Sequence, residues 1–113
     1  MKIKHFGGYG SVNAKKTLKK KGDLTVATIV VSGNHELGLG YRYSDTESVT
    51  RWLAPKLHIP ITNERQIVDL QIHDDYVKDT NGEKIRDSYG NWVDERTYTV
   101  TYAPSVEIAY NYM

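Results

Sequence analysis

Cysteine is absent from the 113-residue chain. Disulfide bonds and thiolate metal sites are therefore excluded, and nothing argues for an oxidising compartment. Long apolar runs are also absent, because no stretch approaches the roughly 20 apolar residues that span a bilayer. The first ten residues, MKIKHFGGYG, lack the apolar segment of a secretory signal. We therefore expect a cytoplasmic protein without a membrane partner.

Phenylalanine is nearly absent, since the chain has one Phe against nine Tyr and two Trp. Tyrosine suits positions where the ring is buried and the hydroxyl stays in water, as in thin sheets and binding surfaces. Apolar residues make up 39% of the chain, which is enough for one modest core at this length. The composition predicts a single domain, residues 1–113.

The net charge of +1 conceals two oppositely charged halves. Residues 1–60 carry ten Lys/Arg against four Asp/Glu, whereas residues 61–113 carry five against ten. Two interpretations stay open: the halves compensate each other within one fold, or they present two differently charged surfaces to partners. We favour the first.

Residues 11–21, SVNAKKTLKKK, predict a basic helix that follows a short strand at 2–6 and a glycine-rich loop at 7–10. Ser11 is a suitable N-cap, and Gly22 stands where helices commonly end on glycine. Only three residues of the segment are apolar. Such a helix packs weakly and keeps a strongly positive outer face.

Residues 24–32, LTVATIVVS, are rich in β-branched side chains and predict a central strand. Gly33-Asn34-His35-Glu36 then predicts a hairpin turn into a second strand at residues 37–44. The hairpin would place the most apolar strand of the chain in the middle of a sheet.

Ser44-Asp45-Thr46-Glu47 has the form of a capping box, so a helix should begin there. Pro55 would lie in its last turn and Pro60 in the loop that follows. The helix should bury one face that carries Val49, Trp52 and Leu53, which have i, i+3, i+4 spacing.

From residue 66 onward the pattern predicts β-structure to the C-terminus. Segments 66–73, 97–102 and 105–113 alternate apolar and polar residues with the period of a strand. Between the first two, Asp79-Thr-Asn-Gly82 recurs as Asp87-Ser-Tyr-Gly90, a spacing typical of β-turns. We expect a protruding acidic hairpin, residues 74–96, which we call the arm. The fold class is then α+β, a mostly antiparallel twisted sheet with one or two short helices on one face.

Gly33-Asn34-His35-Glu36 after an apolar strand resembles the metallophosphoesterase signature, which implies a two-metal hydrolase. One Asn and one His cannot hold two metals, and the family's Asp-x-His, Gly-Asp-x-x-Asp and Gly-His-x-His motifs are missing. A calcium loop in the arm fails as well, because Val77 and Ser88 replace the leading and bidentate carboxylates. The sequence therefore predicts no catalytic residue, no metal, no cofactor and no enzyme activity.

The lysines of the predicted helix form the first candidate binding surface. Lysines at this density contact phosphates or acidic proteins, and a nearby tyrosine ring can stack on a base. A helix exposed only to solvent has the same composition, so both interpretations stay open. No helix-turn-helix, zinc-finger or RRM motif is present, so base-specific binding is not expected. The residues are Lys15, Lys16, Lys19, Lys20, Lys21 and Tyr9.

The arm forms the second candidate surface, because aromatic residues beside charges favour macromolecular contacts. In composition the short, cysteine-free, Tyr-rich chain is similar to accessory proteins of phages and mobile elements, including inhibitors of host defence such as anti-CRISPR proteins. This resemblance implies a non-enzymatic protein that binds a host protein or nucleoprotein complex. Sequence-nonspecific binding of nucleic acid through the lysine-rich helix is the alternative. A homodimer is also expected if the C-terminal strand is an open edge. The arm residues are Asp74, Asp75, Asp79, Asp87, Tyr89 and Trp92.

Overall fold

The chain folds around one antiparallel sheet. The computed structural model describes residues 2–4, 11–34, 44–86, 90 and 92–112. Its strands lie in the order β1-β2-β3-β5-β4, and every neighbouring pair is antiparallel. Short helices complete the predicted α+β fold. The strands are β1 (Lys2–Lys4), β2 (Ser11–Lys21), β3 (Leu24–Asn34), β4 (Ile67–Tyr76) and β5 (Val93–Tyr102).

β2 occupies the segment for which the sequence predicts a basic helix, so that prediction is wrong. Residues 13–21 pair with residues 24–32 of β3, across the two-residue turn Gly22-Asp23. Gly22 has φ 65°, a left-handed conformation that glycine adopts readily and hairpin turns require. The pairing with a strongly β-forming neighbour outweighs the helical preference of Lys, Ala and Leu.

β3 is the central strand, as predicted, with β2 on one side and β5 on the other. It runs to Asn34, two residues beyond the predicted end, so Gly33 and Asn34 belong to the ladder with β5 and not to a turn. The rest of that predicted turn and strand, residues 35–43, lies outside the described residues. The predicted glycine-rich loop at 7–10 does so as well.

A continuous helical segment, residues 46–56, precedes β4. It consists of α1 (Thr46–Ser48), a π-helical turn (Val49–Leu53) and α2 (Ala54–Lys56). Its N-cap is Asp45, one residue later than predicted. The Asp45 carboxylate accepts the N–H of Ser48 at 2.7 Å, and the Ser48 hydroxyl accepts the N–H of Asp45 at 3.3 Å. Pro55 lies in the last turn, as predicted.

Trp52 does not share the buried face of this segment, so that part of the prediction is wrong. Its side chain is 52% exposed, whereas Val49 and Leu53 are buried. In the π-helical turn the N–H of Ala54 donates to the carbonyl of Val49, five residues back. This wider winding keeps Val49 and Leu53 aligned and turns Trp52 outward.

The C-terminal segment forms the helix α3 (Val106–Tyr110) in place of the predicted strand. Pro104 has no N–H to continue a ladder. Ser105 then acts as N-cap, and its hydroxyl accepts the N–H of Ile108 at 3.2 Å. The open C-terminal edge on which the expected homodimer rested is therefore absent from residues 106–110.

The core lies between the helical segment 46–56 and one side of the sheet, which we call the covered face. The predicted alternation in β5 is confirmed, because Tyr98, Val100 and Tyr102 are all buried there. In β4, Leu70 and Ile72 pack against the same core. The residues that fill the centre of the core are Ile29, Val31, Val49, Leu53, Leu57, Tyr98 and Val100.

A second, smaller cluster lies at one end of the opposite side of the sheet. There α3 packs through Ala109 and Ile108 against Leu24, Ala103 and Val68. Val68 joins this cluster at an irregularity between Ile67 and Asp69 that interrupts the register of β4 with β5. The helix therefore covers only the end of that side at which β3 begins.

Candidate macromolecule-binding surfaces

The side of the sheet opposite the core presents alternate residues of four strands, and we call it the open face. Its side chains are exposed or half-buried. Because side chains on paired strands alternate in step, the register assigns each residue to one face. The open-face residues are Lys15, Thr17, Lys19, Lys21, Val26, Thr28, Val30, Ser32, Glu95, Thr97, Thr99, Thr101, Asp69, Gln71, His73 and Asp75.

The open face is charged on its two outer strands, and its inner strands carry no charge except Glu95, which lies beside Asp75 at the arm end of the face. Three rows of paired residues cross it: Lys19-Val26-Thr101-Asp69, Thr17-Thr28-Thr99-Gln71 and Lys15-Val30-Thr97-His73. β2 and β4 are separated by three strand spacings, about 14 Å. That distance exceeds the screening length of about 8 Å at physiological salt, so the basic and acidic edges neutralise each other only weakly.

The five predicted binding lysines do not form one surface, because the strand divides them between the two faces. Lys15, Lys19 and Lys21 share the parity of the open face, whereas Lys16 and Lys20 lie on the covered side. The Lys16 ammonium donates to the carbonyl of Leu57 at the end of α2. Lys16 thus closes the C-terminal end of the helical segment, a favourable place for a cation.

Lys20 lines a half-open cleft of about 360 Å³ at the β2–β3 turn end of the covered face. Thr25 and Tyr102 provide hydroxyl groups there, and burial raises the pKa of Tyr102. The remaining lining is apolar and comes from Leu18, Pro60 and Pro104. Lys20 therefore stands apart from the lysines of the open face.

The arm is held together by backbone hydrogen bonds that join three of its segments. Val77 donates to Val93, Val93 donates to Ile85, and Ile85 donates to Val77, at 2.9–3.2 Å. A tight turn runs from Asp79 to Gly82, whose N–H donates to the Asp79 carbonyl at 3.0 Å. Short bridges pair Lys78 with Lys84 and Arg86 with Trp92, which agrees with the short paired segments that the repeat predicts.

Two aromatic rings and two cations contact one another on the described surface of the arm. The Lys84 ammonium lies 4.2 Å from the ring centre of Tyr76 and 5.7 Å from that of Trp92. The Arg86 guanidinium lies 3.8 Å from the Trp92 ring, and its Nη1 donates to the Gly90 carbonyl at 2.7 Å. Tyr76 and Trp92 meet edge to face at 6.3 Å. We call Tyr76, Lys84, Arg86 and Trp92 the arm stack.

Asp74, predicted to face a partner, forms an internal ion pair. Arg96 donates to it twice, from Nε at 2.6 Å and from Nη2 at 2.8 Å, and donates to the Ser44 hydroxyl from Nη1 at 3.2 Å. The Arg96 side chain is 5% exposed and that of Asp74 58%. Hydrogen bonding to Arg96 holds the pKa of Asp74 below its usual range. This pair joins β4 to β5 at the base of the arm, and the contact with Ser44 connects them to the start of the helical segment.

The other described carboxylates of the predicted acidic surface are also engaged locally. Asp75 accepts the N–H of Tyr76 at 2.7 Å and pairs with Lys78, and these contacts lower its pKa. Asp79 accepts the N–H groups of Asn81 and Glu83 at 2.9 and 3.0 Å. Trp92 belongs to the arm stack. Three predicted contact residues lie outside the described residues: Asp87, Tyr89 and Tyr9.

Four residues that form the ion pair and the arm stack were not identified from the sequence: Arg96, Tyr76, Lys84 and Arg86. Arg96 interrupts the apolar positions of β5 two residues before Tyr98, and a buried arginine requires a partner. Tyr76 follows an acidic strand, and the two other cations lie between the two turn motifs. Their closeness to Trp92 depends on how those turns fold, which spacing alone does not determine.

The described residues contain no cluster of three or more His, Cys, Asp or Glu that could hold a metal ion. None of the helices within those ranges is long and apolar enough to cross a membrane. Of the motif that resembles metallophosphoesterases, Asn34 lies in β3, and His35 and Glu36 lie outside the described ranges.

Comparison of the chain with protein-family models, curated proteins and solved structures gave no match.

Proposed function

We propose that this is a non-enzymatic binding protein that contacts a host protein or nucleoprotein complex through the arm stack. The observation that carries the proposal is the exposure of alternating rings and cations on one segment of the chain. Tyr76 is 38% exposed, Lys84 and Arg86 are exposed, and Trp92 is half-buried. Tyrosine, tryptophan and arginine are the residues that most often dominate binding energy at protein interfaces.

The arm stack has the physical properties of a preorganised contact. Trp92 and the Gly90 carbonyl hold the Arg86 guanidinium from two sides, so less side-chain freedom is lost when a partner binds. A cation over a ring still offers its outward N–H groups to a carboxylate or a phosphate. A suitable partner therefore combines a flat apolar surface with anionic groups.

The composition supports a more specific version of the proposal, a phage or mobile-element accessory protein that acts in the cytoplasm. Inhibition of a host defence complex, in the manner of anti-CRISPR proteins, would suit a small chain that works by occupying a surface. Within the arm, we propose the arm stack as the contact in place of the acidic residues expected from the sequence, because Asp74, Asp75 and Asp79 are engaged in internal contacts.

The experiment is affinity capture from the lysate of a candidate host with charge-reversed arm variants. Lys84→Glu and Arg86→Glu should each reduce recovery of the specific partner at least roughly tenfold. Arg65→Glu removes an exposed cation outside the arm and is the matched control. A partner that both arm variants recover as well as the wild type does would overturn the proposed site. Circular dichroism confirms that each variant is folded.

A second candidate function is direct, sequence-nonspecific binding of nucleic acid at β2. The supporting observation is that Lys15, Lys19 and Lys21 lie on one face of β2, and that the outer edge of this strand beyond residue 13 has no neighbour within the described part of the chain. Asp69 and Asp75 at the far edge of the open face would repel phosphates, so contact would be confined to β2 and its turn.

Salt titration with random duplex and single-stranded oligonucleotides tests this second function. Affinity should fall as salt rises, because each lysine–phosphate contact releases a counterion. Lys15→Glu combined with Lys19→Glu should weaken binding further. Absence of binding at low salt would eliminate nucleic acid as a direct partner, whatever the outcome for the arm.

A further inference from the structure

We propose that the open face is an interface between two copies of this chain, packed face to face about a two-fold axis parallel to the strands. The open face has the anatomy of an interface, with an uncharged centre and a charged rim. The centre consists of small, mostly β-branched residues, which suit close sheet-on-sheet packing at about 10 Å. These are Thr28, Val30, Thr97 and Thr99, with Val26 and Thr101 beside them.

Charge complementarity selects both the second copy and the axis. Rotation about an axis parallel to the strands places β2 of one copy over β4 of the other. Lys19 then faces Asp69 of the second copy, because the two residues end the same row. An axis across the strands would instead stack lysine on lysine. Within one copy the basic edge on β2 and the acidic edge on β4 lie too far apart to neutralise each other. In the pair these two edges lie opposite each other.

Of the other rows, the central one also gives a matched pair, whereas Lys15 comes to lie over His73 of the second copy and Glu95 over Ser32. Thr17 and Gln71 end the central row, and the rotation brings them together as an uncharged pair. Thr28 comes to lie over Thr99 of the second copy, since β3 and β5 exchange places. Each contact occurs twice by symmetry, as an isologous interface requires.

The extent of the open face indicates a weak, reversible dimer. α3 already covers the end near Leu24. The remaining rows, across four strands, span roughly 20 by 20 Å. This area falls below the standard interface size of about 800 Å² per partner. We therefore expect a dimer whose population depends on protein concentration.

The test is sedimentation velocity on the wild type, Lys19→Glu and Asp69→Lys, over roughly 1 µM to 1 mM. The wild type should shift from monomer to dimer. Each single variant places like charges opposite each other twice and should raise the dimer Kd roughly tenfold. A mixture of the two variants should form a heterodimer tighter than either homodimer, because both contacts then pair opposite charges. Thr99→Arg, in the centre of the face, should abolish the dimer.

Lys20→Glu reverses a charge on the covered side of the same strand and is the control. It should leave the dimer Kd within about twofold of the wild type. Three results would overturn the proposal: a wild type that stays monomeric throughout, a Thr99→Arg variant that dimerises normally, or mixed variants that associate no better than each alone. Circular dichroism on every variant separates loss of association from loss of fold.

Discussion

The two faces of the sheet are built from the same strands and have opposite chemistry. On β3, Ile29 is buried on the covered face, and its neighbour Val30 is half-buried on the open face. The covered face is closed by the helical segment 46–56, whereas the open face keeps an uncharged centre between two charged edges. On β3 and β5, burial and partial exposure alternate residue by residue. These two strands therefore stabilise the core with one set of side chains and leave the other set available for contacts.

The largest expected effect is the difference in stability between substitutions on the two faces of β3. Ile29→Ala should destabilise the protein by about 2–4 kcal/mol, because it leaves a cavity in the core. Val30→Ala, one residue away, should cost less than about 1 kcal/mol. Urea denaturation at low protein concentration measures both. Equal losses at the two positions would show that the open face is also packed against something within the monomer.

The next effect compares two aspartates on β4. Asp74→Asn should cost about 1–2 kcal/mol at pH 7, since it removes the charged partner of buried Arg96 while water still reaches residue 74. Asp69→Asn, on the open face, should cost less than about 0.5 kcal/mol. Denaturant titrations of each variant at low protein concentration, where the chain is monomeric, measure the two free-energy changes.

The ion pair between Asp74 and Arg96 also predicts that stability depends on pH. The pKa of Asp74 is lowered from 3.8 in the folded state. A depressed folded-state pKa contributes stability above the unfolded-state value, and that contribution is lost as pH falls through the folded-state value. The difference between wild type and Asp74→Asn should therefore be constant from pH 7 to about 5 and shrink below about 4. A difference that grows on acidification would contradict the ion pair.

A smaller effect concerns the turn that joins β2 to β3, the two strands on which the faces differ. Gly22→Ala should destabilise by about 1 kcal/mol, because alanine is strained at φ 65° although no atom lies within 4 Å of the added carbon. Gly22→Asn should cost less, since asparagine tolerates this conformation. Thermal unfolding ranks the variants. Gly22→Ala as stable as wild type would mean that the turn adopts another geometry.

The smallest effect distinguishes adjacent lysines on opposite faces. Lys16→Met should cost about 0.5–1 kcal/mol, since it removes a hydrogen bond to the Leu57 carbonyl at a helix C-terminus. Lys15→Met should be neutral within about 0.5 kcal/mol. Paired urea titrations in low salt resolve the difference. If Lys15→Met costs more, the assignment of these lysines to faces is reversed.

The features that sequence predicts well are those that local chemistry determines. β3 is recognisable from its β-branched residues, and the alternation in TYTVTY correctly identifies the buried side of β5. The helix that begins near Ser44 is recognisable from its cap. In each case the residue types and their spacing favour the same structure, so no tertiary contact has to override them.

The features that are predicted wrongly or missed are those whose structure depends on contacts with another segment of the chain. β2 has a cap-like serine and a terminal glycine, yet Gly22-Asp23 between two alternating runs is also a hairpin signal. Apolar and polar residues do alternate in residues 105–113. The segment nevertheless forms a helix, because Pro104 cannot continue a ladder and Ser105 caps the helix N-terminus. The arm stack combines residues 76, 84, 86 and 92, and turn geometry that spacing does not encode brings them together.

The sequence separation between the partners of β3 has a consequence for synthesis on the ribosome. The hairpin with β2 closes over two residues, whereas β5 pairs with β3 only after about sixty further residues have been made. Until then Ile29-Val30-Val31 forms a half-paired edge of the kind that aggregates. Lys15 and Lys16 pair directly with Val30 and Ile29. We expect these lysines to act as gatekeepers that keep the nascent chain soluble.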